Sequence, residues 1–320
     1  MKNIATGKII KGVGGLYTVK LLSDCILPAG TLVRCRAKGA FRHEGVTPLP
    51  GDRVTLSCPD TLPEKTDGKE TGGFAISSIE DRKNSLIRPP MANLDYLFIT
   101  MAAAAPVPVL TTVDKFIAIA EFNKIEPIIV ITKAELDPEY AKKLRDDYSL
   151  CGFRCFCLSA KENVGVEPVD EFIKAHLGGK TAAFAGASGI GKSTLMNRLF
   201  PELSLSTSEI SRKIERGRHT TREVELFPLS EELECGYVAD TPGFSMLDFE
   251  RFDFFDKEDL PNTFREFEPY IGQCKYTKCT HTKEDGCAVL SAVKNGDIPK
   301  SRHESYKELF DTLKQKKKWN

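Results

Sequence analysis

The chain has 320 residues, of which 41% are hydrophobic, and its 45 Lys and Arg residues balance its 45 Asp and Glu residues. This length and composition suffice for the cores of two or three domains, while the balanced charge favours neither the presence nor the absence of a nucleic-acid partner. No apolar run is long enough to span a membrane and no secretory leader follows Met1, so we expect a cytoplasmic protein that has no membrane partner.

The sequence pattern of residues 1–80 predicts a small all-β barrel that binds RNA. Gly and Pro turns separate five short runs of alternating apolar and polar residues: Gly7 to Lys11, Leu16 to Leu21, Thr31 to Ala37, Asp52 to Ser57 and Phe74 to Ile79. The barrel also contains a basic and aromatic segment, Arg34-x-Arg36-x-Lys38 followed by Phe41, Arg42 and His43. These side chains suit an RNA backbone and a stacked base, although alternating basic residues are also typical of a solvated strand face.

Alternating strands and helices are predicted for residues 81–248. After the connector Ile87-Arg88-Pro89-Pro90, we expect a buried strand over Leu94 to Met101 and a helix from about Thr112 to Asn123. The alternation continues to Asp240, which favours a doubly wound α/β sheet.

A base-reading segment is predicted at Thr132-Lys133-Ala134-Glu135, directly after the apolar strand Pro127 to Ile131. The usual sequence there is Asn-Lys-x-Asp, whose carboxylate accepts hydrogen bonds from N1–H and the N2 amine of guanine. Adenine does not offer these donors in that arrangement. Because Thr132 and Glu135 depart from the usual residues, guanine selection is the preferred interpretation and a P-loop ATPase or kinase is the alternative. Lys133 is expected to pack its stem over the base.

The segment Gly186-Ala187-Ser188-Gly189-Ile190-Gly191-Lys192-Ser193 fits the pattern of a phosphate-binding loop. It follows an apolar run from Thr181 to Ala185 and opens into Thr194 to Leu199, which has helical spacing. The glycines let backbone N–H groups face phosphate oxygens, and the helix N-terminus adds partial positive charge. We expect Lys192 to reach the β- and γ-phosphates and the Ser193 hydroxyl to ligate Mg²⁺.

A polar, basic segment follows, Arg216-Gly217-Arg218-His219-Thr220-Thr221-Arg222. This composition is typical of a mobile loop that becomes ordered around the γ-phosphate and its metal. One of the two threonines, Thr220 or Thr221, is expected to offer its hydroxyl to Mg²⁺, and Thr221 is the preferred candidate. His219 is the candidate for positioning the attacking water, because its imidazole accepts or donates a proton near neutral pH. A surface histidine that stacks or binds RNA phosphate is the alternative.

A further metal-related element is predicted in Gly236-Tyr237-Val238-Ala239-Asp240-Thr241-Pro242-Gly243. This short apolar strand ends in Asp240, which suits a carboxylate that holds Mg²⁺ through water, and the Gly243 N–H suits the γ-phosphate. Phe244 follows where many GTPases carry a glutamine that orients water, a task that phenylalanine cannot perform. A nucleotide-regulated RNA-binding module without significant turnover is therefore an alternative function.

The order of these segments is unusual for a GTPase. The base reader comes before the phosphate loop, and so does Ser159-Ala160-Lys161, which follows the apolar stretch Phe153 to Leu158 and fits a loop that contacts the base through its backbone. A conventional GTPase begins with the phosphate loop, so this domain is predicted to be circularly permuted. The segment that senses the γ-phosphate then lies at the exit of the domain, where an order change would pass to the C-terminal region.

Residues 249–320 predict aromatic and charged helices with a metal site between them. Cys274-x4-Cys279-x-His281-x5-Cys287 offers three sulfurs and one imidazole, the ligand set of structural Zn²⁺. The surrounding stretch is polar and has no core in which to hide unliganded thiols, and a reducing compartment disfavours disulfides. The other cysteines lie in apolar, strand-like surroundings and are expected to act as small hydrophobic residues.

The chain resembles the ribosome small subunit-dependent GTPase A family, the circularly permuted GTPases of bacterial small-subunit maturation. The resemblance covers nearly all 320 residues. It rests on the motifs from the base reader to the Cys/His cluster, on the connector at Ile87 to Pro90, and on two barrel segments, Gly39-x-Phe41-Arg42 and Thr47-Pro48-Leu49-x-Gly51-Asp52.

This resemblance implies an N-terminal OB-fold, a central GTPase domain and a C-terminal helical zinc domain, with GTP, Mg²⁺ and Zn²⁺ as cofactors. It also implies slow GTP hydrolysis that the small ribosomal subunit stimulates during late assembly. The matching positions are Gly186 to Thr194 for the phosphate loop, Thr132 to Glu135 for the base reader, and Cys274, Cys279, His281 and Cys287 for zinc. The expected partner of this monomer is the small subunit with its rRNA, and not DNA. Gly189 stands where some permuted GTPases hold potassium with asparagine, so we expect no potassium activation.

Overall fold

The computed structural model describes residues 4–39, 41, 45–61, 71–201, 224–233, 235–240 and 255–315, and only the backbone of Asp240. The chain divides into two compact units. The first comprises residues 1–95, 171–183 and 202–244, and the second comprises residues 96–170, 184–201 and 245–320. Both units combine segments that are far apart in the sequence. The three domains expected from the sequence stay a prediction, and their boundary at 248 and 249 lies outside the described residues.

A five-stranded barrel occupies the N-terminal part of the first unit. Its strands are β1 (Ile4–Val13), β2 (Leu16–Leu21), β3 (Leu32–Ala37), β4 (Arg53–Ser57) and β5 (Ala75–Ile79). β1 pairs with both β2 and β4, β2 pairs with β3, and β5 pairs with both β3 and β4. The ladder therefore closes on itself as a small Greek-key barrel of the OB type does, which confirms the fold predicted for this region.

Alternating side chains build this barrel. In β3, Val33 and Cys35 are buried, whereas Arg34 and Arg36 are exposed. Burial of every second residue is what a strand with one face in a core requires. All five strands contribute to the core, for example through Ile9, Val19, Val33, Val54 and Ile76. Phe41 also packs in this core and is only 8% exposed, so its ring does not form the stacking surface that the sequence suggested.

A two-stranded ladder of β6 (Ser85–Leu86) and β7 (Met91–Ala92) follows the barrel in the chain. It belongs to the first unit and leads to residue 95, where that unit gives way to the second.

Parallel strands and helices form the centre of the second unit. They follow one another as β8 (Tyr96–Ala102), α1 (Leu110–Phe122), β9 (Glu126–Thr132), α2 (Pro138–Leu150) and β10 (Arg154–Cys157). β9 lies between β8 and β10 and is parallel to both. Six of the seven residues of β9 are buried, as expected for a strand covered on both faces. The predicted alternation of strands and helices is therefore present.

The phosphate-loop segment joins a strand to a helix, as predicted. α3 (Glu167–His176) leads to β11 (Thr181–Ala185), and α4 (Lys192–Leu199) follows the loop. The end of β11 lies next to β8, where the Thr100 hydroxyl donates a 2.6 Å hydrogen bond to the carbonyl of Ala185. The rings of Phe98 and Phe184 stack at 4.7 Å beside this contact.

Two further strands lie in the described part of the first unit. β12 (Glu225–Pro228) pairs with β1, and the side chains of Lys11 and Glu225 form an ion pair of 2.6 Å there. β12 is antiparallel to β13 (Tyr237–Asp240), and β13 runs parallel to the part of β11 that belongs to this unit. The barrel is thus joined through backbone pairing to the strand that ends at Asp240.

The C-terminal part of the second unit contains short 3₁₀ helices, a Cys/His loop and two α-helices. The 3₁₀ helices span Leu260–Thr263 and Arg265–Tyr270, and α5 (Ala288–Asn295) and α6 (Lys300–Gln315) follow the loop. α6 packs on α1 and buries one stripe of apolar residues, Tyr306, Leu309, Phe310 and Leu313. Among the described residues, no helix is long and apolar enough to cross a membrane.

Candidate nucleotide site and zinc site

The loop between β11 and α4 depends on glycine at its first position. Gly186 has a φ angle of +146°, and a Cβ atom there would lie 2.4 Å from both the Thr100 hydroxyl oxygen and Cδ1 of Ile190. A side chain at this position would therefore displace the loop from β8. Gly191 is left-handed, with φ of +92°, immediately before α4. Backbone in such conformations can turn successive N–H groups toward one anion.

The first turn of α4 is polar and its later turns are apolar. Lys192 and Ser193 are half-buried and Thr194 is exposed. The buried residues of the helix are Leu195, Met196 and Leu199. The first N–H groups of any helix have no partner within the helix, and its N-terminus carries partial positive charge. This end of α4 therefore has the geometry that accommodates phosphate.

Thr132 joins the base-reading segment to the phosphate loop. It is the last residue of β9 and is 1% exposed. Its hydroxyl forms a hydrogen bond with the carbonyl of Ile190 and lies 3.1 Å from the carbonyl of Met101. The residue that departs from the usual asparagine thus contacts the phosphate loop directly.

Lys133 makes a second connection between the same segments. Its backbone is left-handed, with φ of +53°. Its ammonium donates to the carbonyl of Gly189 at 2.7 Å and to the carbonyl of Ala105, in the loop after β8. Three loops at the carboxyl ends of parallel strands therefore meet at one amine, and this edge of an α/β sheet is where ligands bind.

Glu135 has a carboxylate oxygen that the described residues leave unsatisfied. Its Oε2 is withdrawn from solvent and has no hydrogen-bond donor within the described part of the chain. Asp137, two residues later, is already engaged, because its carboxylate accepts a 3.0 Å bond from the N–H of Tyr140 and caps α2. A buried oxygen without a donor is costly. Of these two carboxylates, Glu135 is the one with a buried oxygen that lacks a donor among the described residues.

The loop at Ser159 to Lys161 lies beside the base-reading segment. The N–H of Ala134 donates to the carbonyl of Leu158 at 3.2 Å. Ser159 and Val164 exchange two backbone hydrogen bonds of 2.9 and 3.1 Å, which close the loop, and Lys161 is exposed at its tip. The two segments predicted to contact a base are therefore neighbours in the structure.

The sequence predicts four further nucleotide contacts, at His219, Thr221, Asp240 and Gly243. Thr221, His219 and Gly243 lie outside the described residues. Asp240 ends β13, and its backbone is paired with that of Glu225. The roles assigned to these four residues in the sequence stay predictions.

Cys274, Cys279, His281 and Cys287 form one cluster. Their candidate ligand atoms all lie within 4.8 Å of one another. Nδ1 of His281 is 3.5 Å from the sulfurs of Cys274 and Cys287, and those two sulfurs are 3.9 Å apart. A tetrahedral zinc ion with Zn–S bonds of about 2.3 Å separates its sulfur ligands by roughly 3.8 Å. The spacing fits such an ion and is far too long for a disulfide.

Neighbouring groups hold these ligands in position. The N–H of Ala288 donates to the sulfur of Cys274 at 3.4 Å. The carboxylate of Glu284 accepts a 2.9 Å bond from the N–H of Thr280 and so closes the loop that carries the histidine. Burial lowers the pKa of His281, so its ring is neutral at physiological pH and able to ligate a metal.

Several residues at these sites gave little signal in the sequence. Thr100 is a polar residue within an apolar strand, and that contrast was the available indication of its contact with Ala185. His303 and Tyr306 bind backbone carbonyls of the Cys/His loop, but they look like ordinary members of an amphipathic helix. Ala105 takes part through its carbonyl alone, which no side-chain pattern reveals.

Two solved structures are similar to this chain over nearly its whole length. YjeQ from Thermotoga maritima aligns with a TM-score of 0.77 at 30% identity, covering 98% of this chain and 100% of that chain. YloQ, described as a circularly permuted GTPase, aligns with a TM-score of 0.74 at 32% identity, covering 99% of this chain and 97% of that chain. The predicted base-reading segment precedes the predicted phosphate loop in the sequence, and these similarities show that the chain has the fold of a circularly permuted GTPase.

Sequence comparisons identify the family. The RsgA GTPase profile matches residues 79–250 and the RsgA N-terminal domain profile matches residues 6–62. A relative from Ruminiclostridium cellulolyticum, named small ribosomal subunit biogenesis GTPase RsgA, is 39% identical over 96% of this chain and 93% of its own length. A relative of the same name from Bacillus velezensis is 39% identical over 97% of this chain and 98% of its own length. The chain belongs to the RsgA GTPase family.

Proposed function

We propose that this protein hydrolyses GTP to GDP and phosphate, binds the small ribosomal subunit and assists its late maturation, with hydrolysis stimulated by the subunit. The observation that carries the proposal is the junction of the phosphate loop and the base reader. Lys133 connects the carbonyls of Gly189 and Ala105, and Glu135 keeps a carboxylate oxygen without a donor among the described residues. The ribosomal part follows the names of the two relatives, which are both called small ribosomal subunit biogenesis GTPases.

Glu135 is the residue that reads guanine in this proposal. Its unsatisfied Oε2 accepts from the N1–H or the N2 amine of guanine, which removes the cost of a buried oxygen without a donor. Adenine offers no pair of donors in that arrangement and leaves the cost in place. Lys133 and the backbone of Ser159 to Lys161 then enclose the base.

The phosphates are held by Gly186 to Thr194. Backbone N–H groups of the loop and of the first turn of α4 donate to the phosphate oxygens, and Lys192 reaches the β- and γ-phosphates. The hydroxyls of Ser193 and Thr221 and the carboxylate of Asp240 would hold Mg²⁺, since oxygen ligands suit this hard cation. When bound, Mg²⁺ neutralises charge on the phosphate oxygens. The N–H of Gly243 senses the γ-phosphate.

Hydrolysis requires a positioned water. The water oxygen bonds to the γ-phosphorus, the bond from that phosphorus to the β–γ bridging oxygen breaks, and GDP leaves. His219 orients this water in our proposal because Phe244 cannot. We expect His219→Ala to keep nucleotide affinity and to lose turnover, and unchanged turnover would remove His219 from the mechanism.

RNA contact is proposed for the barrel. Arg34 and Arg36 are exposed on one face of β3, and Lys38, directly after this strand, is exposed as well. Arg36 and Lys38 also line a surface cavity of about 530 Å³ next to Tyr17. Basic side chains at successive exposed positions suit the phosphates of rRNA, whose binding should weaken steeply with salt. We propose that the protein acts on this partner as a cytoplasmic monomer.

Phosphate release from GTP and from ATP, with and without small ribosomal subunits, tests the proposed function. Stimulation by the subunit that is restricted to GTP supports it. Nucleotide binding without turnover in the presence of subunits would favour a nucleotide-regulated RNA-binding module. Equal use of GTP and ATP would contradict guanine reading by Glu135.

A further inference from the structure

α6 contacts the loop that carries the zinc ligands. The Tyr306 hydroxyl donates to the carbonyl of Thr280 at 2.8 Å, and Nε2 of His303 lies 2.8 Å from the carbonyl of His281. Both carbonyls belong to the short turn that includes the ligands Cys279 and His281. A metal that closes this turn therefore fixes two contact points of α6.

The same helix also holds the beginning of α1. Arg302 forms a buried ion pair of 2.5 Å with Asp114, and the Thr111 hydroxyl donates to the carboxylate of Glu308. α1 has no acidic residue in its first turn, and its N-cap residue, Val109, has no side-chain acceptor. Glu308, which lies on α6, therefore supplies the negative charge that stabilises the N-terminus of α1.

The beginning of α1 continues into the nucleotide site. Residues 103–109 connect β8 to α1, and the carbonyl of Ala105 in this connection accepts a hydrogen bond from the ammonium of Lys133. The same ammonium donates to Gly189 of the phosphate loop at 2.7 Å. A shift of the first turn of α1 would move one of the two acceptors that hold Lys133.

We propose that α6 is a positioning element for nucleotide binding. Through Glu308 and Thr111 it fixes the connection at 103–109 and thereby Lys133, so that zinc occupancy and guanine-nucleotide affinity increase together. This inference rests on the proposed nucleotide and zinc sites and concerns their regulation. Two binding equilibria that share one element are coupled reciprocally. Zinc must therefore tighten nucleotide binding by the same factor by which nucleotide tightens zinc binding.

Substitution of Glu308 tests the contact between α6 and α1. In the zinc-loaded full chain, Glu308→Ala is expected to raise the dissociation constants of GDP and GTP roughly two- to fivefold, the effect of one charge at a helix N-terminus. Glu308→Gln keeps an acceptor for Thr111 and should recover part of the loss. Glu304→Ala is the matched control, because Glu304 lies on the same helix and pairs with Lys300 of that helix. It should leave both constants unchanged.

Removal of the metal tests the coupling between the zinc site and the nucleotide site. After a chelator has stripped Zn²⁺ from the full chain, the dissociation constant of GDP should rise by roughly fivefold or more, and it should recover when Zn²⁺ is returned. Saturating GDP should strengthen zinc retention against the chelator by the same factor. Tyr306→Phe removes only the hydroxyl that contacts Thr280, and it should reduce both effects.

Two results would overturn the inference. One is an equal GDP dissociation constant for zinc-loaded and zinc-stripped protein when circular dichroism shows both to be folded. The other is a Glu308→Ala protein that melts at a lower temperature but binds GDP as tightly as the wild type, because that result would mean a structural role only. If removal of Zn²⁺ unfolds the chain, the GDP dissociation constants of the zinc-loaded Glu308→Ala and Tyr306→Phe proteins test the inference instead. A failure of the proposed function can be distinguished from these two results. In that case the zinc-loaded wild type would show no preference for guanine nucleotides.

Discussion

Arg302 of α6 and Asp114 of α1 form an ion pair of 2.5 Å in which each side chain is only 1% exposed. Arg302 also pairs with Glu266 at 2.7 Å, and the Tyr148 hydroxyl donates to Asp114 at 2.8 Å. One guanidinium therefore balances two buried carboxylates. The network fastens the C-terminal helix to the strand and helix part of the same unit.

Arg302→Met should strongly destabilise this unit. The substitution leaves the carboxylates of Asp114 and Glu266 buried without a cation, which costs about 3–5 kcal/mol. Denaturant unfolding of wild type and variant measures the loss. Lys143→Ala is the comparison, because Lys143 forms an exposed i,i+4 pair of 2.6 Å with Asp147 that is worth less than about 1 kcal/mol. Equal losses in the two variants would show that burial of the Arg302 pair adds nothing.

Glu135→Gln should reduce the preference for GTP over ATP. The variant loses the charged acceptor for the N1–H and N2 amine of guanine, and a hydrogen bond to a charged group is worth about 1.5–3 kcal/mol. The preference, measured by competition between the two nucleotides, should fall roughly ten- to a hundredfold. Asp137→Asn is the control, because it keeps an oxygen to cap α2 and should not alter the preference. An unchanged preference in Glu135→Gln would mean that another group reads the base.

Gly186→Ala should impair nucleotide binding. Its methyl group would lie 2.4 Å from Ile190 and Thr100, and its φ of +146° is unfavourable for any L-residue. The loop must shift, with a loss of stability that exceeds about 1 kcal/mol. GDP titration and thermal unfolding measure the two effects. Gly178→Ala is the control, since a Cβ at Gly178 meets no atom within 4 Å. Wild-type GDP affinity in Gly186→Ala would contradict the proposed phosphate loop.

Local patterns predicted the elements and the order of the motifs. β2 and β11 begin and end at the predicted residues, because their apolar runs are bounded by clear turns. The permuted order could also be read directly, since each motif is contiguous. The sequence identifies Thr132 as a departure from the usual asparagine, and the structure places its hydroxyl against the carbonyl of Ile190.

Contacts between distant residues could not be predicted in this way. The bonds of Lys133 to Ala105 and of Thr111 to Glu308 join residues 28 and 197 positions apart. Withdrawal of one Glu135 oxygen from solvent is likewise a property of the assembled loops. The prediction that Phe41 stacks on a base was wrong, because its ring packs in the barrel core. In the sequence, an aromatic residue beside basic residues looks the same in both situations.

Cys287→Ser should abolish stoichiometric zinc binding. Cys287 is buried within the cluster, and a tetrahedral structural site has no spare ligand to replace its sulfur. Metal analysis of the purified protein measures the zinc content. Cys157→Ser is the matched control, since Cys157 lies in β10 and outside the cluster, and it should retain its zinc. Full zinc content in Cys287→Ser would exclude this residue as a ligand.

Lys8 carries a buried charge in the first unit. Its ammonium donates to the Thr181 hydroxyl at 2.8 Å and lies 4.4 Å from the centre of the Tyr237 ring. Burial lowers the pKa of Lys8 from 10.5 to about 8, and the charge of Asp95 opposes this shift only in part. The positive charges of Arg53 and Lys83 lower the pKa further, while Cys235 acts in the opposite direction.

This lowered pKa predicts that stability rises with pH. Between about pH 8 and pH 10.5 the unfolded chain keeps a proton on Lys8 that the folded protein has released. The free energy of unfolding therefore increases through that window, by roughly 3 kcal/mol at most. Lys8→Met removes the titrating group, so wild type should gain stability relative to this variant as the pH rises from 7 to 10.5. Denaturant unfolding of both proteins across this range measures the gain. Parallel pH profiles would show that Lys8 titrates alike in the folded and unfolded chains.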